Sequence, residues 1–213
     1  MQIQEKNAIS GLKNVIFHFF NVKFDDFDFS KYHQGLPHSL KELYEIDTFM
    51  AKHNCSYETI RFFSNIDRLV LYKNLKIEEN SFVFLHENQH NWACKTKLNS
   101  DEIFFEDKVE TENSRIIETK IDDFLTTFAL QEIAFNFNYY IGLESENIDE
   151  IKDNFDKYEA IWLKKEFVYS FPCSFYLIDD DCFVAFSGMN IFATNNEEKF
   201  NFYKKKLKHY NFS

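Results

Sequence analysis

The sequence has few of the residues that build flexible or cross-linked proteins. Its 213 residues include only four glycines and two prolines, which argues against domains strung on flexible linkers and against a glycine-rich phosphate loop. Four cysteines (Cys55, Cys94, Cys173 and Cys182) form no Cys-x-x-Cys pair, a pattern typical of buried thiols in a reducing compartment. Apolar runs are too short to span a bilayer, and the polar N-terminal residues give no sign of a secretory signal. We therefore expect a cytoplasmic protein.

What the sequence has in abundance is aromatic residues and acidic charge. Phenylalanine alone accounts for 27 residues, and 45% of the chain is hydrophobic, which is enough for a packed core without disulfides or a structural metal. The formal net charge of -11 disfavours nucleic acid and anionic membranes as direct partners, because phosphates are bound by Lys and Arg. Such a charge suits a basic protein partner, although it also serves solubility alone.

Apolar residues at helical spacing predict several helices. One covers residues 8–20, and another begins near Pro37, which suits a first helical position. A third runs from Ile121 through Phe128, and a last one is capped by Asn195. Residues 57–72 predict a short helix that turns into a strand.

Strands are predicted between these helices. The run Phe82–Leu85 is apolar on both faces, the next residues are turn-like, and Trp92–Cys94 resumes an extended pattern, which together predict a hairpin. The segment Phe24–Phe29 alternates Phe and Asp and fits either an edge strand or an irregular loop. The remaining strands are Ile103–Phe105 and an antiparallel meander formed by Phe175–Ile178, Cys182–Phe186 and Ile191–Ala193.

A formal zinc-peptidase motif, His86-Glu87-x-x-His90, lies in the predicted hairpin. The motif works on a helix, which places both histidines on one face and the Glu as general base. The preceding residues have no helical face, and Ala93 and Thr96 stand where the extended motif has Gly and a third His. A hairpin turn is the favoured interpretation, with no metal, no cofactor and no catalytic residue. Glu102 or Glu106 remains possible by spacing as a distant third ligand.

The same stretch carries a different similarity. Glu87-Asn88-Gln89 followed by Trp92, after a hydrophobic strand, resembles a pattern of the SUKH superfamily, the group related to the yeast cell-wall-synthesis regulator. Gly35-Leu36-Pro37 resembles the early Leu-Pro helix of that family, and Ile121–Leu125 resembles its closing helix. The similarity covers roughly residues 36–135, and His90 stands where the family often has a small residue.

The resemblance implies a fold and a function. The implied fold is α+β, a twisted, mainly antiparallel sheet with helices packed on it over residues 1–140. Residues 141–213 have no counterpart in the family, and their own pattern predicts a β-meander plus helix packed on the same core. Many bacterial members are immunity proteins of polymorphic toxin systems, so the implied role is non-catalytic binding and neutralisation of a cognate toxin. An acidic face would dock on the basic cleft of that toxin. A general interaction scaffold is the alternative, a zinc hydrolase a more remote one, and self-association is left open.

Candidate partner-binding residues are carboxylates near aromatic residues. For each of them plain surface charge is the alternative, and Glu87 with its neighbours can equally close hydrogen bonds inside the hairpin turn. The candidates are Asp25, Asp26, Asp28, Glu87, Asp101, Glu102, Glu106, Asp107, Asp179, Asp180 and Asp181.

Overall fold

The computed structural model describes residues 2–3, 8–53, 62–144, 160–164, 167–168 and 173–210. The chain divides into two compact units, and they are not consecutive segments: the first combines residues 1–22 with 127–213, and the second comprises residues 23–126. The sequence pattern predicted a domain boundary after residue 140. In the structure the chain passes from one unit to the other at residues 22/23 and 126/127.

Four α-helices lie in the described residues: α1 (Ala8–Phe20), α2 (His38–His53), α3 (Ile121–Ala134) and α4 (Glu197–Lys206). The helices predicted at 8–20 and from Ile121 are confirmed, and Ile9, Leu12 and Val15 of α1 are buried as their spacing required. Helix α1 ends at Phe20, and the next residue, Asn21, has a φ of 54° in the left-handed region and donates its N–H to the Phe17 carbonyl. None of the described helices is both long enough and apolar enough to cross a lipid bilayer.

Two predicted helix starts are wrong by one residue. Helix α2 begins at His38, one residue after Pro37, whose carbonyl accepts the Lys41 N–H at 3.2 Å. Helix α4 is capped by Asn196, which accepts the Lys199 N–H at 3.1 Å, and not by Asn195. Asn195 instead donates to the Phe19 carbonyl at 2.9 Å, so it ties α1 to the start of α4 within the first unit.

The second unit contains α2 and a five-stranded antiparallel sheet in the order β1-β2-β3-β4-β5. Its inner face buries Phe82, Leu85 and Cys94. The predicted hairpin is confirmed, because β2 pairs with β3 from Ser81↔Lys97 to His86↔Ala93, with a bulge between Val83 and Leu85. The strands are β1 (Asp67–Leu69), β2 (Ser81–Glu87), β3 (Trp92–Lys97), β4 (Ile103–Asp107) and β5 (Arg115–Ile117).

The helix-to-strand interpretation of residues 57–72 is partly tested. Its strand is present as β1, while residues 54–61 lie outside the described part of the chain. Short 3-10 helices at Tyr72–Asn74 and Thr111–Asn113 complete the regular structure described in this unit.

The first unit contains α1, α4 and a six-stranded antiparallel sheet in the order β11-β6-β10-β9-β8-β7. The predicted meander is confirmed as β8, β9 and β10. Phe192, Val184 and Ile141 form part of its core, and Phe200 and Tyr203 of α4 pack against them. The strands are β6 (Tyr139–Leu143), β7 (Ala160–Lys164), β8 (Cys173–Ile178), β9 (Cys182–Phe186), β10 (Asn190–Thr194) and β11 (His209–Tyr210).

The α+β class with antiparallel pairing is therefore confirmed, and the strands form two sheets. Helix α3 spans the division at residue 126/127 and is buried along most of its length. Thr127 is polar yet fully buried in this helix. Its hydroxyl is satisfied there because it accepts a hydrogen bond from the Trp162 indole N–H at 2.9 Å.

Candidate functional site

The segment from Phe24 to Phe29, here named the acidic loop, connects α1 to α2 without regular secondary structure. Of the two interpretations from sequence, the irregular loop is correct and the edge strand is wrong. The loop nevertheless separates its two kinds of side chain. Its three phenylalanines are half-buried, and its three aspartates are exposed (Phe24, Phe27, Phe29; Asp25, Asp26, Asp28).

A chain of aromatic contacts holds the acidic loop in place. Phe24 packs on Phe49 of α2 with ring centroids 5.1 Å apart, and it also contacts Phe27. Phe27 meets Phe29, which packs edge-on against His38 at 4.9 Å. Each such pair contributes about 0.5–1.5 kcal/mol beyond the burial of its area. The loop is therefore ordered by rings and not by strand hydrogen bonds.

The carboxylate of Asp28 is stabilised in its charged form. Its Oδ1 accepts the Ser30 N–H at 2.9 Å, and hydrogen bonds from Ser30 lower the pKa of Asp28 below its usual value. The neighbouring cation, Lys31, forms an ion pair with Glu45 at 2.5 Å, and its charge also lowers the pKa of Asp28. The acidic loop thus presents a fixed, exposed row of negative charge.

Glu87 has a structural role in the β2–β3 turn. Its carbonyl accepts the His90 N–H at 3.0 Å, and its carboxylate accepts the Asn91 N–H at 3.1 Å. Gln89 accepts a longer bond from the Asn91 amide at 3.4 Å. The Glu-Asn-Gln stretch therefore closes hydrogen bonds within its own turn, which is the structural alternative considered from sequence.

The geometry that a zinc-peptidase motif needs is not formed. His86 lies on β2 and His90 lies in the turn with φ 62°, and their rings stack with centroids 4.2 Å apart. The Glu87 carboxylate is engaged in the turn, and Glu106 pairs with Lys95 at 2.8 Å. Within the described residues, no group of three His, Cys, Asp or Glu side chains could hold a metal ion.

The β4 region contains two kinds of carboxylate. Asp107 accepts the N–H groups of Val109 and Glu110 at 2.9 and 2.7 Å, which lowers its pKa and fixes the turn that follows β4. Asp101 and Glu102, at the β3–β4 connection, are exposed. Asp101 and Glu102 therefore remain available to a partner, while Asp107 is used within the chain.

The three aspartates at the β8–β9 turn are mostly committed to contacts with α4. Asp181 pairs with Lys199 at 2.8 Å, and Asp179 accepts the Tyr203 hydroxyl at 2.5 Å. Asp180 is exposed, and its backbone carbonyl, not its carboxylate, contacts His18 at 2.5 Å. The turn anchors α4 to the six-stranded sheet of the first unit.

The chain was compared with protein-family models, curated proteins and solved structures. No protein-family model matches it, and no significant match was found among curated proteins or solved structures.

The eleven candidates thus separate by what they contact. Five support local structure: Glu87, Glu106, Asp107, Asp179 and Asp181. The exposed ones lie on three elements, and the acidic loop brings together the largest group, Asp25, Asp26 and Asp28.

A groove of about 810 Å³ in the second unit was not anticipated from sequence. Val70, Phe82 and Val83 supply apolar lining, and Lys76, Lys95 and Lys97 supply cations. The only sequence signal for it is that lysines alternate with inward-facing residues on β3, which identifies a solvated strand face and does not identify a recess.

Proposed function

We propose that this chain is a non-catalytic, cytoplasmic immunity protein of the SUKH type that binds and neutralises one cognate polymorphic toxin. The acidic loop carries the proposal, because three exposed carboxylates on a backbone held by aromatic packing form a preorganised surface for a basic cleft. The resemblance of Glu87-Asn88-Gln89 and Trp92 to the SUKH pattern is the reason for proposing this family.

The charge of the molecule supports this partner chemistry. With a formal net charge of -11, the chain attracts a basic toxin at long range and accelerates encounter. Preorganisation lowers the entropic cost of ordering the loop on binding. The carboxylates take the place of the phosphates of a nucleic-acid substrate in the toxin cleft.

The first test is genetic rescue. Co-expression with the toxin encoded beside it should restore growth of cells that the toxin alone arrests. A purified complex should be one tight pair, because neutralisation requires the toxin to stay occupied. Failure to rescue from every neighbouring toxic gene would contradict the proposal, and several weak partners in place of one tight one would favour a scaffold.

The second test addresses the acidic loop. The variant Asp25→Asn, Asp26→Asn, Asp28→Asn should slow association with the toxin by about tenfold or more at low salt and reduce the salt dependence of the rate. A matched control, Glu112→Gln, Glu144→Gln, Glu198→Gln, removes the same charge from other exposed positions. Equal slowing in both variants would assign the effect to net charge and reject the loop as the binding element.

A further inference from the structure

The solvent-facing side of the five-stranded sheet, here named the outer face, has a row of three apolar side chains and one lysine across its strands. Register places Val83 beside Lys95, Lys95 beside Phe104, and Phe104 beside Ile116. Phe104 is 41% exposed and Ile116 is 54% exposed. Large apolar side chains that neighbour each other on an exposed sheet mark an interaction surface more often than scattered ones do.

The two ends of this row have complementary shapes. At the β4–β5 end, Phe104 and Ile116 project into solvent. At the β2 end, the groove of about 810 Å³ opens beside Val83, with Val70 also in its lining. One half of the outer face therefore carries apolar knobs, and the other half carries a recess with Val70 and Val83 among mostly polar lining residues.

Charge follows the same division. Lys76, Lys95 and Lys97 line the groove, where they outnumber Glu78 and Glu79. Continuing the antiparallel register two residues past Lys95↔Phe104 sets exposed Lys97 opposite exposed Glu102. The recess half is thus basic and the knob half acidic, and the Lys95–Glu106 pair lies between them.

We propose that the outer face binds a second copy of this chain as a symmetric dimer. A twofold axis along the strands, between β3 and β4, would place β5 of each copy against β2 of the other. Ile116 then enters the groove of the second copy, and Lys97 meets Glu102. This arrangement is the one that sets basic against acidic halves, because an axis across the strands would set like charges together.

The size of the face sets the strength of the dimer. Five strands about 4.8 Å apart and about five residues long cover an area of roughly 24 by 17 Å. This is roughly 400 Å² per copy and about 800 Å² in total, below the range of stable interfaces and within that of weak, transient ones. The dimer is therefore concentration-dependent, and it does not depend on the toxin-binding proposal.

The first experiment measures mass by sedimentation equilibrium of the full chain over a wide concentration range. The wild type should change reversibly from monomer to dimer, and Ile116→Lys should weaken the dimer by about tenfold or more. Val109→Lys is the matched control, since Val109 is 70% exposed and lies outside the row. A monomeric wild type throughout, or equal weakening by both variants, would overturn the proposal.

The second experiment exchanges charge. Lys97→Glu alone and Glu102→Lys alone should each be weaker dimers, because each sets like charges across the interface. A mixture of the two variants should form a heterodimer of near wild-type strength, since both cross-contacts are then attractive. A mixture no stronger than the single variants would overturn the arrangement, and thermal unfolding of each variant verifies that it is folded.

Discussion

At the scale of single residues, the stacked pair His86 and His90 is the clearest departure from an ordinary hairpin. The rings lie 4.2 Å apart between centroids, so two imidazolium charges would repel. Burial lowers the pKa of His86 below its usual value, and the nearby charges of His90, Arg68 and Lys108 act in the same direction. His86 is thus held in its uncharged form at neutral pH.

This arrangement predicts acid sensitivity. Because the pKa of His86 is lower in the folded state than in the unfolded state, its stabilisation is present above the unfolded pKa and is lost as pH falls through the folded one. Urea midpoints measured at about pH 7.5 and about pH 5.5 should fall more in the wild type than in His86→Asn. Equal falls in both proteins would exclude His86 as the source.

At this scale the sequence predicted positions better than roles. It identified Glu87 as a candidate contact or a turn residue, and only coordinates reveal the bond to the Asn91 N–H that decides for the turn. The sequence likewise could not distinguish Asp180 from Asp181. The two differ because Lys199, 18 residues further along the chain, donates a hydrogen bond to the Asp181 carboxylate.

At the scale of elements, the turn between β8 and β9 stores backbone strain. Asp179 and Asp180 have φ values of 49° and 62°, in the left-handed region that glycine tolerates best. The strain at Asp179 is offset by the hydrogen bond that its carboxylate accepts from the Tyr203 hydroxyl. The contact of Asp180 with His18 uses only the backbone carbonyl of Asp180.

Asp180→Gly should therefore stabilise the protein by about 0.5–1 kcal/mol, the relief of φ strain exceeding the added freedom of the unfolded chain. Chemical denaturation measures the change. Asp179→Gly is the matched comparison: it relieves the same strain but loses the Tyr203 hydrogen bond, so it should give no gain. Destabilisation by Asp180→Gly would show that the carboxylate has a role beyond the turn.

Elements with strong periodicity were predicted well, and irregular ones were not. Ile121 to Phe128 repeat at helical spacing and form α3, and the apolar run before Glu87 forms β2. The acidic loop alternates like a strand, yet its order comes from Phe49 and His38 of α2. Such tertiary contacts leave no local pattern, which is why the strand and loop interpretations could not be separated.

At the scale of the whole molecule, α3 is shared by the two compact units, because the division at residue 126/127 falls inside an unbroken helix. Melting either unit removes the support of part of α3. The units should therefore unfold together.

Cysteine labelling tests this coupling. Cys94 belongs to the second unit and Cys182 to the first, and both are buried. Burial raises the pKa of Cys94, and it raises that of Cys182 to about 11, so neither should react with iodoacetamide in the native state. In urea, both should become reactive at the same midpoint when read by peptide mass spectrometry. Separate midpoints would establish independent units.

The discontinuous first unit has a consequence for synthesis of the chain. Helix α1 leaves the ribosome more than a hundred residues before the strands of its own unit, which begin at Tyr139. In that interval the second unit can complete its sheet, while Leu12, Val15 and Ile16 have no partners to cover them. A nascent chain of this kind exposes the apolar face of α1 during synthesis, and chaperones that bind emerging apolar segments have a target there.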